Sequence, residues 1–239
     1  MHTTLNNLYL KYGYNTPPAI LNAGNLHKLG RNVLQYSITA VSTCRPTKNC
    51  LRDCYATQGR YVMDNVKTSL DYRLQLSKLP GWKEQVIEFL NTKGTARVRI
   101  HPSGDFYSRE YVANWFRIME KCPNIQFLAY SRRYDFLDIL GTMNKLKNAS
   151  IYYSLDDSTR KTHIEQAHAA GLTPARLFDT EEQLKNWNKL ANPELFKCPG
   201  RCEPCSYKCW KSVPVAFIAH GQETLKRIKM QQLLTSPRS

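Results

Sequence analysis

The stretch from Ala96 to Asp157, ARVRIHPSGDFYSREYVANWFRIMEKCPNIQFLAYSRRYDFLDILGTMNKLKNASIYYSLDD, decides the fold. Residues 96–101 (ARVRIH) read as a strand closed by the Pro102-Ser103-Gly104 turn. Ser108 is placed to cap a helix whose Val112, Trp115, Phe116 and Met119 form one apolar face. Residues 125–130 (IQFLAY) form the next strand, a helix follows near 134–147, and 150–155 (SIYYSL) form another strand. Strand and helix alternating over short connections predict a parallel sheet wrapped by helices.

The same beat continues in both directions. Upstream, 33–38 alternates well enough for a first strand; helices at 64–79 and 82–91 are separated by Pro80-Gly81. Downstream come a helix over 158–170 ended by Gly171, a short strand at 175–178 and a helix at 181–191. A last strand at 213–219 and a basic helix at 221–234 complete the pattern. Six strands predict an α/β fold of the partial (β/α)6, TIM-like barrel type, with chemistry where strands end and loops begin. Residues 1–32, rich in Asn, Gly and Pro, read as an arm packing on the barrel. Residues 33–239 read as one domain that includes a cysteine-rich loop at 198–209.

Composition narrows the classes of function. The chain has 239 residues, long enough for a real core without disulfides, and 42% of them are hydrophobic. No apolar run reaches membrane-spanning length, and the N-terminus has no basic region leading into an apolar one. A cytoplasmic setting is therefore expected, in which clustered cysteines bind metal more often than they form disulfides. Lys and Arg number 34 against 19 Asp and Glu, a net charge of +15 that points to nucleic acid or another polyanion.

Seven of the eight cysteines fall into two groups. Cys198, Cys202, Cys205 and Cys209 supply four thiolates within twelve residues, the donor set for one [4Fe–4S] cluster or one zinc ion. Cys44, Cys50 and Cys54 supply three, which leaves one metal position open unless His27, His101 or a distant thiol completes the set. Cys122 stands alone and reads as an ordinary thiol.

Basic residues accompany both groups. Arg45, Lys48 and Arg52 flank the first, and Arg201, Lys208 and Lys211 flank the second. If the loops share one face of the barrel, that face attracts a polyanion. Arg132 and Arg133, framed by Tyr130 and Tyr134, suit phosphate contact with base stacking. The terminal helix adds Lys226, Arg227 and Lys229. His101 and Asp105 are the candidates for general acid–base work, and Asp105, Asp156, Asp157 and Asp179 all fall near strand ends.

Three cysteines after the first strand, the last followed by Tyr55-Ala56, resemble the radical S-adenosylmethionine (SAM) enzymes. Ser103-Gly104-Asp105 is similar to the Gly-Gly-Glu element closing strand two of that family, and Ser154-Leu155-Asp156 to its Ser-x-Asp. This sequence departs from that pattern in its x5 and x3 cysteine spacing, in Asp53 before Cys54, and in Asp105 for glutamate. The resemblance implies a [4Fe–4S] cluster on Cys44, Cys50 and Cys54. It also implies SAM seated by Ser103, Gly104, Asp105, Ser154 and Asp156, and an auxiliary metal on the late cysteines. A resemblance covering most of the chain is to the gene product 88 family of phages and plasmids. It is carried by Gly24-Asn25-Leu26-His27-Lys28-Leu29, the stretch 44–60, Ser103-Gly104-Asp105-Phe106 and the late cysteines. It implies a mobile-element setting and no particular reaction. Three functions are expected in turn: a radical-SAM-like iron–sulfur protein acting on nucleic acid, a non-catalytic metal-bearing DNA- or RNA-binding protein, and a metal-dependent nuclease or defence factor.

Overall fold

A computed structural model describes residues 4–5 and 7–219; the helix expected at 221–234, with its three basic residues, lies outside the described residues. Strands β1 (Asn22–Ala23), β2 (Val33–Tyr36), β3 (Arg97–Ile100), β4 (Gln126–Ser131), β5 (Ala149–Leu155), β6 (Thr173–Phe178), β7 (Phe196–Lys197) and β8 (Val215–Ile218) form one sheet. Their order is β1-β2-β3-β4-β5-β6-β8-β7. Only the β1–β2 pair is antiparallel among these strands. The six expected strands are β2 to β6 and β8. The two edge strands were not expected, because two residues carry no periodicity to read.

The strands are staggered. β3 and β4 begin level with the strand before them. β5 begins one residue beyond the first β4 position, β6 level with the fourth residue of β5, and β8 level with the third residue of β6.

One face of the sheet is covered by helices. Tyr36, Val98, Ile100, Phe127, Ala129 and Ile151 pack there against Trp82, Val86, Leu90, Val112, Trp115 and Met119. Trp82, Trp115 and Tyr36 meet edge-on, with centroids 5.4–5.5 Å apart, the preferred geometry for aromatic quadrupoles. Ser108 caps the helix Arg109–Lys121 by accepting from the Tyr111 N–H, as its sequence position requires. Gly141 lets the helix Leu137–Met143 approach its neighbour, since a side chain there would strike the Ala170 carbonyl.

The alternate residues of the strands face the other way. Val33, Leu128, Tyr152, Ala175 and Val215 form a second core, with Trp210 from the segment before β8 buried among them. The N-terminal arm serves both sides: Leu8, Ile20 and Leu21 join the helix-side core, and Leu29 joins the second. Among the described residues no helix is long and apolar enough to cross a membrane.

Candidate functional site

Ser103-Gly104-Asp105 forms a clasp beneath Cys44. Ser103 Oγ donates to the Ile38 carbonyl (3.0 Å), and the Ile38 N–H returns a bond to the Ser103 carbonyl. Gly104 has φ 86 and lies so close to Ile38 and Thr43 that any side chain would collide. The Asp105 N–H donates to Thr43 Oγ1, and Thr43 Oγ1 itself donates to the Thr39 carbonyl. The carboxylate of Asp105, 4% exposed, accepts from the Phe106 N–H, Ser131 Oγ and the Arg132 N–H. Burial pushes its carboxyl up to about 6 against those three donors. Arg133 completes the clasp, donating to the Thr43 and Phe106 carbonyls while pairing with Asp135.

Asp156 holds the other end of the cysteine loop. It accepts from Thr47 Oγ1 (2.5 Å), from the Arg132 guanidinium (2.9 Å), and from both the N–H and hydroxyl of Ser158 (2.8 Å each). Burial alone would raise its carboxyl, but Arg132 and these donors outweigh it and hold it below the usual range. Thr47 in turn caps the short helix Lys48–Arg52 by accepting from the Cys50 N–H. Arg132 bridges both acids, main chain to Asp105 and side chain to Asp156. The Asp156 carboxylate thus positions Cys50 through the Thr47 cap, while Asp105 holds Thr43, beside Cys44, by its main-chain N–H.

Cys44, Cys50 and Cys54 are free and half-buried. Cys50 lies within electrostatic reach of both Cys44 and Cys54. Burial, then Asp105, pushes the Cys44 thiol up to about 12; burial raises Cys50 although Arg132 pulls it down. Beside Cys44 opens a cleft of about 450 Å³ at the C-terminal end of the parallel strands. Arg45, Lys48, Arg132, Arg160 and His163 line it, together with Thr47, Ser154 and Ser158, and among the described residues no carboxylate residue does. His163 stacks on Tyr134, a further lining residue, with centroids 4.0 Å apart and Tyr134 38% exposed.

The second cysteine group lies at the opposite end of the sheet. The Cys202 N–H donates to the Lys28 carbonyl, the Tyr207 hydroxyl to Leu29, and the Tyr152 hydroxyl to Cys209 and Val213. Lys28 and Leu29 precede β2, and Val213 precedes β8, so the stretch from Cys202 to Cys209 packs toward the N-terminal ends of those strands, while Cys198 directly follows β7 and donates its N–H to the Ala216 carbonyl within β8. Cys198, Cys202, Cys205 and Cys209 are free and half-buried, and each of the other three raises the thiol of Cys209. Burial leads that effect, which takes Cys209 up to about 11. Burial and the neighbouring thiols raise both Cys202 and Cys209, the donor chemistry that a bound cation would relieve. Among the described residues no group of three or more His, Cys, Asp and Glu side chains is drawn together closely enough to hold an ion.

Several expectations are corrected by this geometry. The two cysteine loops and their cations do not share a face: Arg45, Lys48 and Arg52 sit at one end, and Arg201, Lys208 and Lys211 at the other. Arg133, with its side chain 6% exposed and its donors spent, is withdrawn from phosphate contact. His101 turns into the helix-side core, where Nε2 meets the Tyr111 hydroxyl (2.8 Å) and Phe106 packs edge-on, so it neither faces the cleft nor reaches the first cysteines. His27 lines a small second cleft with Arg201 and Glu203, away from Cys44. Asp157 pairs with Arg176 rather than joining Asp105 and Asp156.

The residues assigned to seat SAM do not fit it. SAM carries a sulfonium and an ammonium against one carboxylate, a net cation. Ser103 is 2% exposed, Asp105 and Asp156 are buried with both oxygens engaged, and the adjoining cleft is cationic. Only Ser154 of that set lines the cleft. Arg160, His163, Thr47 and Ser158 are functional candidates that the sequence reading missed. Thr47-x-x-Cys50 is a helix-capping spacing and could have been found; the convergence of Arg160 and His163 on the cleft depends on the fold.

Fold and site together define an α/β protein with one mostly parallel sheet and a thiol-bearing loop at each end. A family model described as "Gene product 88" matches residues 11–225. The chain belongs to the gene product 88 family. It is 31% identical over 121 residues to the Gene 88 proteins of Mycobacterium phages L5 and D29, covering 46% of this chain and 50% of each relative. The match thus spans about half the length of those curated relatives. No solved structure matches.

Proposed function

We propose that this is a metal–thiolate protein of a mobile genetic element that binds nucleic acid at the C-terminal end of its sheet. The observation that carries the reading is the cleft beside Cys44, lined by Arg45, Lys48, Arg132 and Arg160 and, among the described residues, by no carboxylate residue. Such a cleft attracts phosphate, and the stacked Tyr134–His163 pair offers an aromatic surface to a base. The late cysteines would hold zinc or a [4Fe–4S] cluster, and the early three a cluster with one open position. Either metal would lock its loop onto the sheet. The sheet is read as an arc of a βα barrel. Its starting points drift by six residues across β2 to β8, about one per strand, as strand tilt in such barrels demands. The three open-site cysteines favour a second reading, in which a substrate group binds the open metal position; that reading needs no SAM.

Binding of a fluorescent single-stranded oligonucleotide to the full chain, measured by anisotropy across a salt series, tests the reading. Affinity should fall with salt, and Arg45→Ala with Lys48→Ala should weaken it about tenfold and flatten the salt slope by roughly 1–2. Arg201→Ala with Lys211→Ala, at the opposite end, should change little. Absence of salt-dependent binding, or loss only in the Arg201/Lys211 pair, would overturn the reading.

A further inference from the structure

The short helix Lys48–Arg52 links the cleft to a second aromatic pair. Its Thr47 cap and Lys48 line the cleft, and it ends three residues before Tyr55. The Tyr55 hydroxyl donates to the carbonyl of Pro102, just beyond the C-terminal end of β3. Tyr134 follows β4, the neighbour of β3, so both aromatic groups stand at the same end of the sheet. Despite that anchor Tyr55 is 54% exposed. Tyr61 meets it edge-on at 5.8 Å, so neither ring stacks on the other. Half of the large apolar side chains exposed among the described residues lie in the same stretch, Val41, Leu51, Val62 and Met63 besides Tyr55. Exposed cations flank the ring: Arg52 pairs with Asp53, and Arg60 has no ion pair among the described residues.

A ring held in place by its own hydroxyl offers contact area at little cost in conformational entropy. An exposed ring among cations suits an unpaired base and its phosphate. In a duplex the base faces are already stacked, and only base edges and phosphates are presented. Two aromatic platforms would then have nothing to stack on. The helix between the cleft and Tyr55 is about 7 Å long, roughly two nucleotide steps at ~3.4 Å per strand, a separation that one strand bridges. We propose that the cleft and the Tyr55 ring are two stations on one path for single-stranded nucleic acid. One base lies against the Tyr134–His163 pair and another on Tyr55, so an unpaired strand is bound in preference to a duplex. The inference rests on the nucleic-acid reading of the cleft, adds a second site to it, and is independent of metal at either cysteine loop.

The test uses the full chain with a labelled oligothymidylate and the same strand paired with oligoadenylate, each followed by anisotropy across a salt series. The single strand should bind about tenfold or more tightly than the duplex. Tyr55→Ala should weaken the single strand about tenfold, the loss of one stacked base. Its salt slope should stay that of the parent, because no phosphate contact is removed. Tyr55→Phe keeps the ring and should recover most of the loss. A duplex bound as tightly as the strand, or Tyr55→Ala binding like the parent, would overturn the inference and leave the nucleic-acid reading standing. A Tyr55→Ala protein whose salt slope flattens would mean that the loop carrying Arg45 and Lys48 had been displaced, and would overturn it too. A parent with no salt-dependent binding to either probe would overturn the nucleic-acid reading itself.

Discussion

His101 and Asp105 sit four residues apart at the end of β3, and their different fates follow from which way each side chain turns. His101 has φ 40, and its ring enters the core beside Phe106 and Tyr111 with Nδ1 unpartnered. Burial lowers its pKa from 6.5 to about 3, so the folded protein holds it neutral. The unfolded chain binds the proton first. Stability from this residue is therefore complete above about pH 6.5 and lost as pH falls toward 3, at up to about 1.4 kcal/mol per pH unit. Asparagine tolerates the left-handed backbone but cannot ionise. His101→Asn should cost about 2–4 kcal/mol at neutral pH through lost packing. Urea titrations between pH 4 and 7 should show a shallower acid limb in the variant; an unchanged slope would refute the assignment. Alternation in ARVRIH places His101 on the face of Arg99, opposite Ile100, if the strand runs straight to its end, and here the backbone turns. That turn was not legible in the sequence.

At the scale of elements, the strands were legible and the cysteine loop was not. Short, largely apolar runs located β2 to β6 and β8, and the Pro102-Ser103-Gly104 turn marked the end of β3. The helix Lys48–Arg52 has no apolar stripe to read; it exists because Thr47 caps it and Asp156 anchors the cap. Asp156→Asn should therefore destabilise the protein by about 1–3 kcal/mol, leaving Arg132 half-paired and the cap loosened. It should also speed alkylation of Cys50 in the metal-free protein. Full stability with unchanged Cys50 reactivity would show that Asp156 does not hold this helix. Asp105 and Asp156 are spaced like ligand-binding acids along the chain, and their partners Thr43, Thr47 and Ser131 reveal their positioning role only once β2, β4 and β5 are side by side.

At the scale of the whole molecule, the separation of the two thiol loops follows from strand direction. The first cysteine group follows β2 and the second precedes β8; in a parallel sheet those are opposite ends. The pattern of strands contained this fact, while the shared basic character of the loops pointed the other way. The fold thus gives the chain a cleft lined by Arg45, Lys48, Arg132 and Arg160 beside Cys44 and a second group of thiols packed with Trp210. The most direct test is the metal and sulfide content of anaerobically purified full-length protein, with its visible spectrum, beside Cys50→Ser and Cys202→Ser variants. Two centres are expected, each lost with its own cysteine while the other persists. A parent protein free of metal, or one substitution that empties both sites, would contradict the separation of two thiolate centres at opposite ends of one sheet.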